Sequence, residues 1–583
     1  MSFNWLDYFV IFLYVAFMVL VGYIAQKRGQ ESLEDYFAGG KKLPWWLIGI
    51  SMVATTFAAD TPLAVTGIIA SEGIAGNWIW WNFMFSGLFT VFLYAKLWKR
   101  ADVITDVEFI SIRYTGKPAR VLRGFRSLYL AFPINCIILG WVTVGMAKIL
   151  VVLLGARELM FDLGPVSLAG EWVIILAMYL FIGIYIAFSG LWGVIITDFV
   201  QFIIAMGGSI LLAFYAVDYV GGLDQLQAEL TDLFGAGHSM LSINPLNSPD
   251  IAIATGLVWV GMMWWASWYP GSEPGGGGYI AQRMFSAKDE RNAVGGTLLF
   301  NVAHFALRPW PWILVALVAM VVYPGLDDPE TGYPLLMLEL LPAGLLGLLA
   351  VAFLAAFVST VSTHLNWGAS YVVNDFYKPF LKPESEFESK EKAQKHYVWI
   401  SRWTTILMMI AAALVSLMFD TVRGGWEAIL SIGAGTGLVY MLRWFWWRIN
   451  AWSEISAMTA AAIGSFLAPA LGYDDFAAQM IFTTIFATVI WVSVTFLTRP
   501  DDEETLQTFF DRVKPGGPGW SRFLGAGVQT ESLWPGIINV VISSAAIVIL
   551  LFGMGQIFFE SVLLGTGCFV AGIAGLWYVV KKI

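Results

Sequence analysis

Residues 355–366 read AAFVSTVSTHLN, which sets Ser359, Thr360, Ser362, Thr363, His364 and Asn366 inside a run long enough to cross a bilayer. The string lies between the apolar runs GLLGLLAVAFL and WGASYVV, so it falls at mid-membrane depth. At helical spacing Ser359, Ser362 and Thr363 share one face, with Thr360 on its flank. A lone Ser or Thr in a membrane helix is ordinary packing glue. Four hydroxyls in five residues, in a chain that also places Asp198 inside an apolar run, point instead to an ion site.

The rest of the chain agrees with a membrane setting. Of its 583 residues 58% are hydrophobic and 13% charged, and the mean hydropathy is +0.71. About 20 apolar residues span a bilayer as a helix, and the runs here are helix-length and non-alternating, which excludes a β-barrel. The predicted architecture is therefore an all-α polytopic membrane protein with fifteen spans: 5–26, 43–70, 77–97, 124–154, 170–188, 190–217, 251–278, 295–323, 343–373, 398–419, 425–447, 454–471, 478–498, 534–555 and 557–580. The first run lacks a basic flank and a small-residue cleavage site, so it is expected to be a span, not a leader. Assigning alternate loops to the cytoplasm places 29 of the 33 Lys and Arg there. That asymmetry predicts an outer N-terminus and a cytoplasmic C-terminus, in a plasma membrane or bacterial inner membrane. The exceptions are Lys148, Arg157, Arg308 and Arg423. Cys136 and Cys568 lie in separate apolar runs and read as small buried hydrophobes, with no metal pattern. The acidic net charge of -9 comes mostly from outer loops and a 499–533 linker, and it implies no nucleic-acid partner.

Two spans carry helix breakers. The second holds Ala54-Thr55-Thr56-Phe57-Ala58-Ala59-Asp60-Thr61-Pro62, and the seventh ends in Trp268-Tyr269-Pro270-Gly271-Ser272-Glu273-Pro274 followed by four glycines. Neither stretch can be continuous helix. The breaks lie five spans apart, the pattern of an inverted-repeat transporter with its site at the interruptions. The expected organisation is an N-terminal extra helix and loop (1–42), a first five-helix repeat (43–217), a second (251–447), two accessory helices (448–498), the cytoplasmic linker (499–533) and two C-terminal helices (534–583). Unwinding near Ala54–Phe57 would free carbonyls, and sodium, a hard cation, takes several oxygen ligands.

Several motifs resemble the sodium:solute symporter family, which includes sodium-coupled glucose, proline, pantothenate and sialic acid carriers. SGLWGVIITDFVQ (Ser189 to Gln201) is similar to the family's lead-in to its fifth core helix. YIAQRMFSAKDERNA (Tyr279 to Ala293) resembles the segment after the sixth. AAFVSTVSTHLN with Asn374 to Tyr377 resembles the eighth, and LPWWLIGISMVA (Leu43 to Ala54) the first. The resemblance implies a LeuT-type 5+5 inverted-repeat core with one extra N-terminal and about four extra C-terminal helices. It implies Na+ as the coupling ion, held by carbonyls of Ala54, Phe57 and Ala356 and side chains of Ser359 and Thr360. A second sodium, bound by some members, would fall on Asp198, Ser362 and Thr363.

Arg308 is the most costly residue in the chain, since it falls near the centre of a span. It either pairs with Asp60 or Glu273, or bonds to the breaks, or forks a substrate carboxylate, for which guanidinium geometry is suited. Asn301 and His304 share its helical face. Thr56, Asp60 and Thr61 on the unwound helix, with Trp264 and Tyr269 near the second break, complete the expected substrate contacts. The predicted function is a sodium-coupled symporter that imports a small organic solute, expected to bear a carboxylate. The alternatives are a neutral-solute or sugar symporter and a proton-coupled carrier using Asp198 or Asp60. A cation channel and a transporter-like sensor rank lower. No catalytic constellation can be picked out, so no enzyme is expected. The expected partners are the solute and the lipid bilayer, with no obligate protein partner.

Overall fold

The computed structural model describes residues 3–28, 43–103, 107–156, 159–162, 167–188, 191–235, 240–246, 248, 250–266, 274–524 and 531–582. Within these, nine helices are each long and apolar enough to cross a membrane, and a bent pair makes a tenth. The broken and partly described segments fall at the other predicted spans. Helix ends run past the predicted limits where the added residues are polar. Gly116–Tyr129 and Lys390–Ser416 both begin in Lys- and Arg-rich turns, because a helix satisfies its own backbone as well outside hydrocarbon as inside it. The sequence reading missed a short antiparallel hairpin, Met160–Asp162 against Ser167–Ala169.

The first core span is two helices, Trp45–Thr55 and Thr61–Glu72, with residues 56–60 non-helical between them. Pro62 stands in the first turn of the second piece, where its missing N–H has no helical partner to lose. The seventh span also stops early. Helix Ile253–Gly261 gives way to a tight turn at Met263–Trp265, and the next described helix is Gly278–Phe285. The last core span bends by 46° between Val422–Gly433 and Gly437–Phe445. Gly437 is required there: a Cβ would stand 1.3 Å from the Trp265 carbonyl oxygen. The bend thus seats one interrupted span on the other.

Two of the basic residues that broke the charge asymmetry are accounted for by pairing. Lys148 meets Asp328 at 2.8 Å and Glu330 at 2.7 Å, and Arg423 meets Glu72 and Glu427, each at 2.8 Å. Glu330 also accepts from the backbone of Val422 at 2.9 Å. These ion pairs tie the second half of the broken first span to its neighbours at one end of the bundle.

At the other end a buried carboxylate gathers four segments. Glu454 accepts from Tyr114 Oη at 2.5 Å and from Arg443 Nη1 at 3.3 Å, with Arg126 Nη1 at 3.6 Å. Arg113 donates to the carbonyls of Arg443 (2.8 Å) and Ile449 (3.0 Å), satisfying the end of Gly437–Phe445. Over this network the 499–533 linker forms a helix, Glu503–Val513, whose Asp502 cap accepts from Thr505 N. Its Leu506, Phe509 and Val513 join Trp98, Phe109 and Trp444 in one cluster. The linker is therefore a docked amphipathic element, and its apolar spacing outweighs its Pro, Gly and charge content.

Because Arg126 and Arg443 both stay buried without Glu454, Glu454→Ala is expected to destabilise the protein by about 3–5 kcal/mol. Thermal unfolding of the purified protein in detergent checks this; an unchanged midpoint contradicts it.

Candidate functional site

Two small cavities flank the broken first span. The first, about 20 Å³, is lined by Ala54, Thr55 and Phe57 from the break, by Ala356, Ser359, Thr360, Thr363 and His364 from helix Leu345–Ser370, and by Gln201 and Phe202 from helix Leu191–Tyr219. All five residues expected for the first sodium therefore line one cavity. Its size suits an ion, not an organic solute. The surrounding backbone is fixed from several sides. Thr55 Oγ1 donates to the Ser51 carbonyl (2.8 Å) and accepts from Arg283 Nη2 (3.0 Å), which sets a cation at the C-terminal end of Trp45–Thr55. His364 is locked to Asn135, whose Nδ2 donates to the His364 carbonyl at 2.9 Å while the two side chains meet at 2.6 Å. Phe57 stacks on Phe353 with centroids 6.1 Å apart, holding the break against the hydroxyl-bearing helix.

The hydroxyl string divides differently from its helical spacing. Thr363 joins Ser359 and Thr360 at the first cavity, whereas Ser362 donates back to the Ser359 carbonyl at 3.1 Å and does not line it. Asp198 sits on helix Leu191–Tyr219 one turn before Gln201, but its side chain lies outside the described residues. Gln201 was legible as a polar residue three positions from Asp198. Thr55, Phe202 and Arg283 gave no comparable signal.

The second cavity, about 70 Å³, lies on the other side of the break. Thr56, Ala58, Asp60 and Thr61 line it with His304, Phe305 and Arg308, and its remaining walls are Trp80, Phe83, Trp141, Phe300 and Trp426. The span that carries Arg308 opens into a wide turn at Val302–Leu307, and Arg308 N donates to the Ala303 carbonyl at 3.0 Å, five residues back. Pro309 and Pro311 follow, and the missing N–H groups favour such a turn. Arg308 Nη1 donates to the Val53 carbonyl (3.1 Å) and to Thr56 Oγ1 (3.2 Å), and its guanidinium lies 5.2 Å from the Trp312 ring centroid. Thr56 in turn meets His304 Nδ1 at 3.2 Å. Among the described residues Arg308 and Asp60 form no ion pair within 4 Å, although they line the same space; Glu273 is outside those residues.

Asp60 is buried, as are the indoles of Trp141 and Trp426, which reach its carboxylate as hydrogen-bond donors. Its turn packs on Gly145, where a Cβ would stand 2.8 Å from the Asp60 Cβ. Four of the six expected substrate residues thus meet here: Thr56, Asp60, Thr61 and Arg308. Trp264 does not; it stacks on Phe89 with centroids 4.9 Å apart. Tyr269 lies outside the described residues. Asn301 is buried against Gly87 and donates to the Thr297 carbonyl at 2.8 Å, away from the cavity.

The profile of the sodium:solute symporter family matches residues 36–464. The sodium/glucose cotransporter of Vibrio parahaemolyticus is 26% identical over 537 residues, covering 86% of this chain and 92% of that protein. Sodium/myo-inositol cotransporter 2 of Oryctolagus cuniculus is 25% identical over 565 residues, covering 87% and 79%. A solved structure of a Na+-coupled sialic acid symporter, substrate-bound and outward-open, superposes with a TM-score of 0.61 at 20% identity and covers 86% of this chain and 99% of that one. The expected LeuT-type helical fold is shown by that likeness, and the relatives are transporters coupled to sodium. With the family profile over most of its length, the chain belongs to the sodium:solute symporter family, as a multi-pass membrane transporter whose coupling ion is Na+.

Proposed function

We propose that this symporter imports a small organic solute bearing a carboxylate, and that sodium drives import by tying the broken first span to helix Leu345–Ser370. The observation that carries this reading is the first cavity, where the end of Trp45–Thr55 meets Ser359, Thr360 and Thr363. A sodium ion there would be coordinated by carbonyls of Ala54, Phe57 and Ala356 and by the hydroxyls of Ser359 and Thr360. Such contacts exist only while the two elements are together, so sodium favours that arrangement by its differential affinity. The halves 43–217 and 251–447 would then rock about the paired sites. Loss of sodium on the cytoplasmic side, where the basic loops lie, frees the break and releases the solute.

A second sodium is proposed near Asp198 and Thr363, with Ser362 available once its bond to the Ser359 carbonyl breaks. Solute binds in the second cavity, where Arg308 offers its guanidinium to a carboxylate and Thr56, Asp60 and Thr61 supply further polar contacts. The named substrates of the relatives, glucose and myo-inositol, favour one other reading, a neutral polyol stacked on the aromatic walls.

Uptake into proteoliposomes is expected to need an inward sodium gradient; equal uptake on a proton gradient without sodium contradicts the coupling. Ser359→Ala and Thr360→Ala each remove one ligand of a cation, an interaction of about 1.5–3 kcal/mol for a bond to a charged group. Each is expected to raise the half-saturating sodium concentration about 10-fold or more. An unchanged sodium dependence in both variants would remove these hydroxyls from the ion site.

A further inference from the structure

We infer that the cavity between Asp60 and Arg308 takes a zwitterion, a small molecule carrying both an ammonium and a carboxylate. The inference rests on the reading of this cavity as the solute site and names the class of solute. The cavity holds one acid and one guanidinium. Both are almost wholly buried, with relative exposures of 3% for Asp60 and 4% for Arg308. No ion pair within 4 Å joins them among the described residues, although both line the same space. Each also keeps an atom without a hydrogen-bond partner among the described residues: Oδ1 of Asp60 and Nε of Arg308. Buried polar atoms are seldom left so, and both belong to residues that line the cavity.

The two groups are held apart by their other contacts. Arg308 is anchored through Nη1 to Val53 and Thr56 on the break, and its ring contact with Trp312 covers one face. That leaves the Nε edge for a carboxylate, which a guanidinium fork binds bidentately. Asp60 is fixed from behind by Gly145 and flanked by Trp141 and Trp426. A buried carboxylate held by such neutral donors keeps its charge and is a receptor for an ammonium, which gains from charge pairing. Simple ions fit worse. An anion alone would satisfy Arg308 but bring a like charge toward Asp60, and a cation alone would do the reverse. A neutral polyol would leave both charges buried with hydrogen bonds only. A zwitterion neutralises each charge in place and keeps the cavity neutral overall. The volume, about 70 Å³, limits it to a short backbone.

The test is equilibrium binding of radiolabelled probes to the purified full-length protein in sodium. Glycine, β-alanine, γ-aminobutyrate and glycine betaine form a ladder of charge separation; propionate, choline, glucose and myo-inositol are the single-charge and neutral controls. At least one member of the ladder is expected to bind about 10-fold more tightly than every control. In Asp60→Asn the order is expected to reverse, with propionate binding better than that zwitterion, a gain that a misfolded variant cannot show. Tighter binding of any control in the wild type, no binding by the ladder, or an unchanged order in Asp60→Asn overturns the inference. Sodium-dependent binding of glucose or myo-inositol alone would overturn it while leaving sodium coupling intact. The expected order seen equally in potassium would support it and remove the coupling.

Discussion

A helix interrupted in the middle of hydrocarbon leaves backbone groups that no water can satisfy, and much of this structure is organised around one such interruption. Between Thr55 and Thr61 the first core span has no helical ladder. Its loose ends are taken up from outside: Arg308 donates to the Val53 carbonyl, Arg283 donates to Thr55, and Phe57 is clamped against Phe353. The break is therefore a fixed feature, not a frayed one. It presents one face to the hydroxyls of helix Leu345–Ser370 and the other to a cavity that holds Asp60 and Arg308.

On the proposed assignment of ion and solute, that arrangement supplies a physical route for their coupling. Thr55, Thr56 and Phe57 are consecutive, yet Thr55 and Phe57 line the first cavity and Thr56 the second. An ion that orders the first face also orders the second, because three residues of backbone cannot be rearranged independently. With sodium and solute at the proposed sites, the solute would meet a preorganised wall whose ordering cost sodium had already met. The ion pairs of Lys148 and Arg423 and the buried Glu454 cluster hold the surrounding helices at the two ends of the bundle.

Much of this was legible in the sequence because the features are chemical anomalies in an apolar background. Ser359, Thr360, Asp60, Arg308 and Pro62 each cost free energy in a membrane helix, so each demands a reason. The residues that escaped are those whose type is common in such chains. Trp141 and Trp426 are two of 28 tryptophans, and nothing in their spacing marks them as partners of Asp60. Trp264 looked equally suited and stacks on Phe89 instead. Gly145 is one of 58 glycines, and only the fold shows that Asp60 packs upon it. Ser362 shares a helical face with Ser359 but spends its hydroxyl on the Ser359 carbonyl, a local bond that periodicity does not reveal. The helix at Glu503–Val513 was hidden by its flanking Pro, Gly and acids, although its Leu506, Phe509 and Val513 fall at helical spacing.

One sodium ion is proposed to bind the break and the hydroxyl-bearing helix at once. Amide hydrogen exchange of the purified protein, measured in sodium and in potassium, tests it most directly. Exchange is expected to be slower in sodium in residues 54–60 and in residues 356–363 together. Exchange that is unchanged in both segments, or slowed in only one of them, would contradict it.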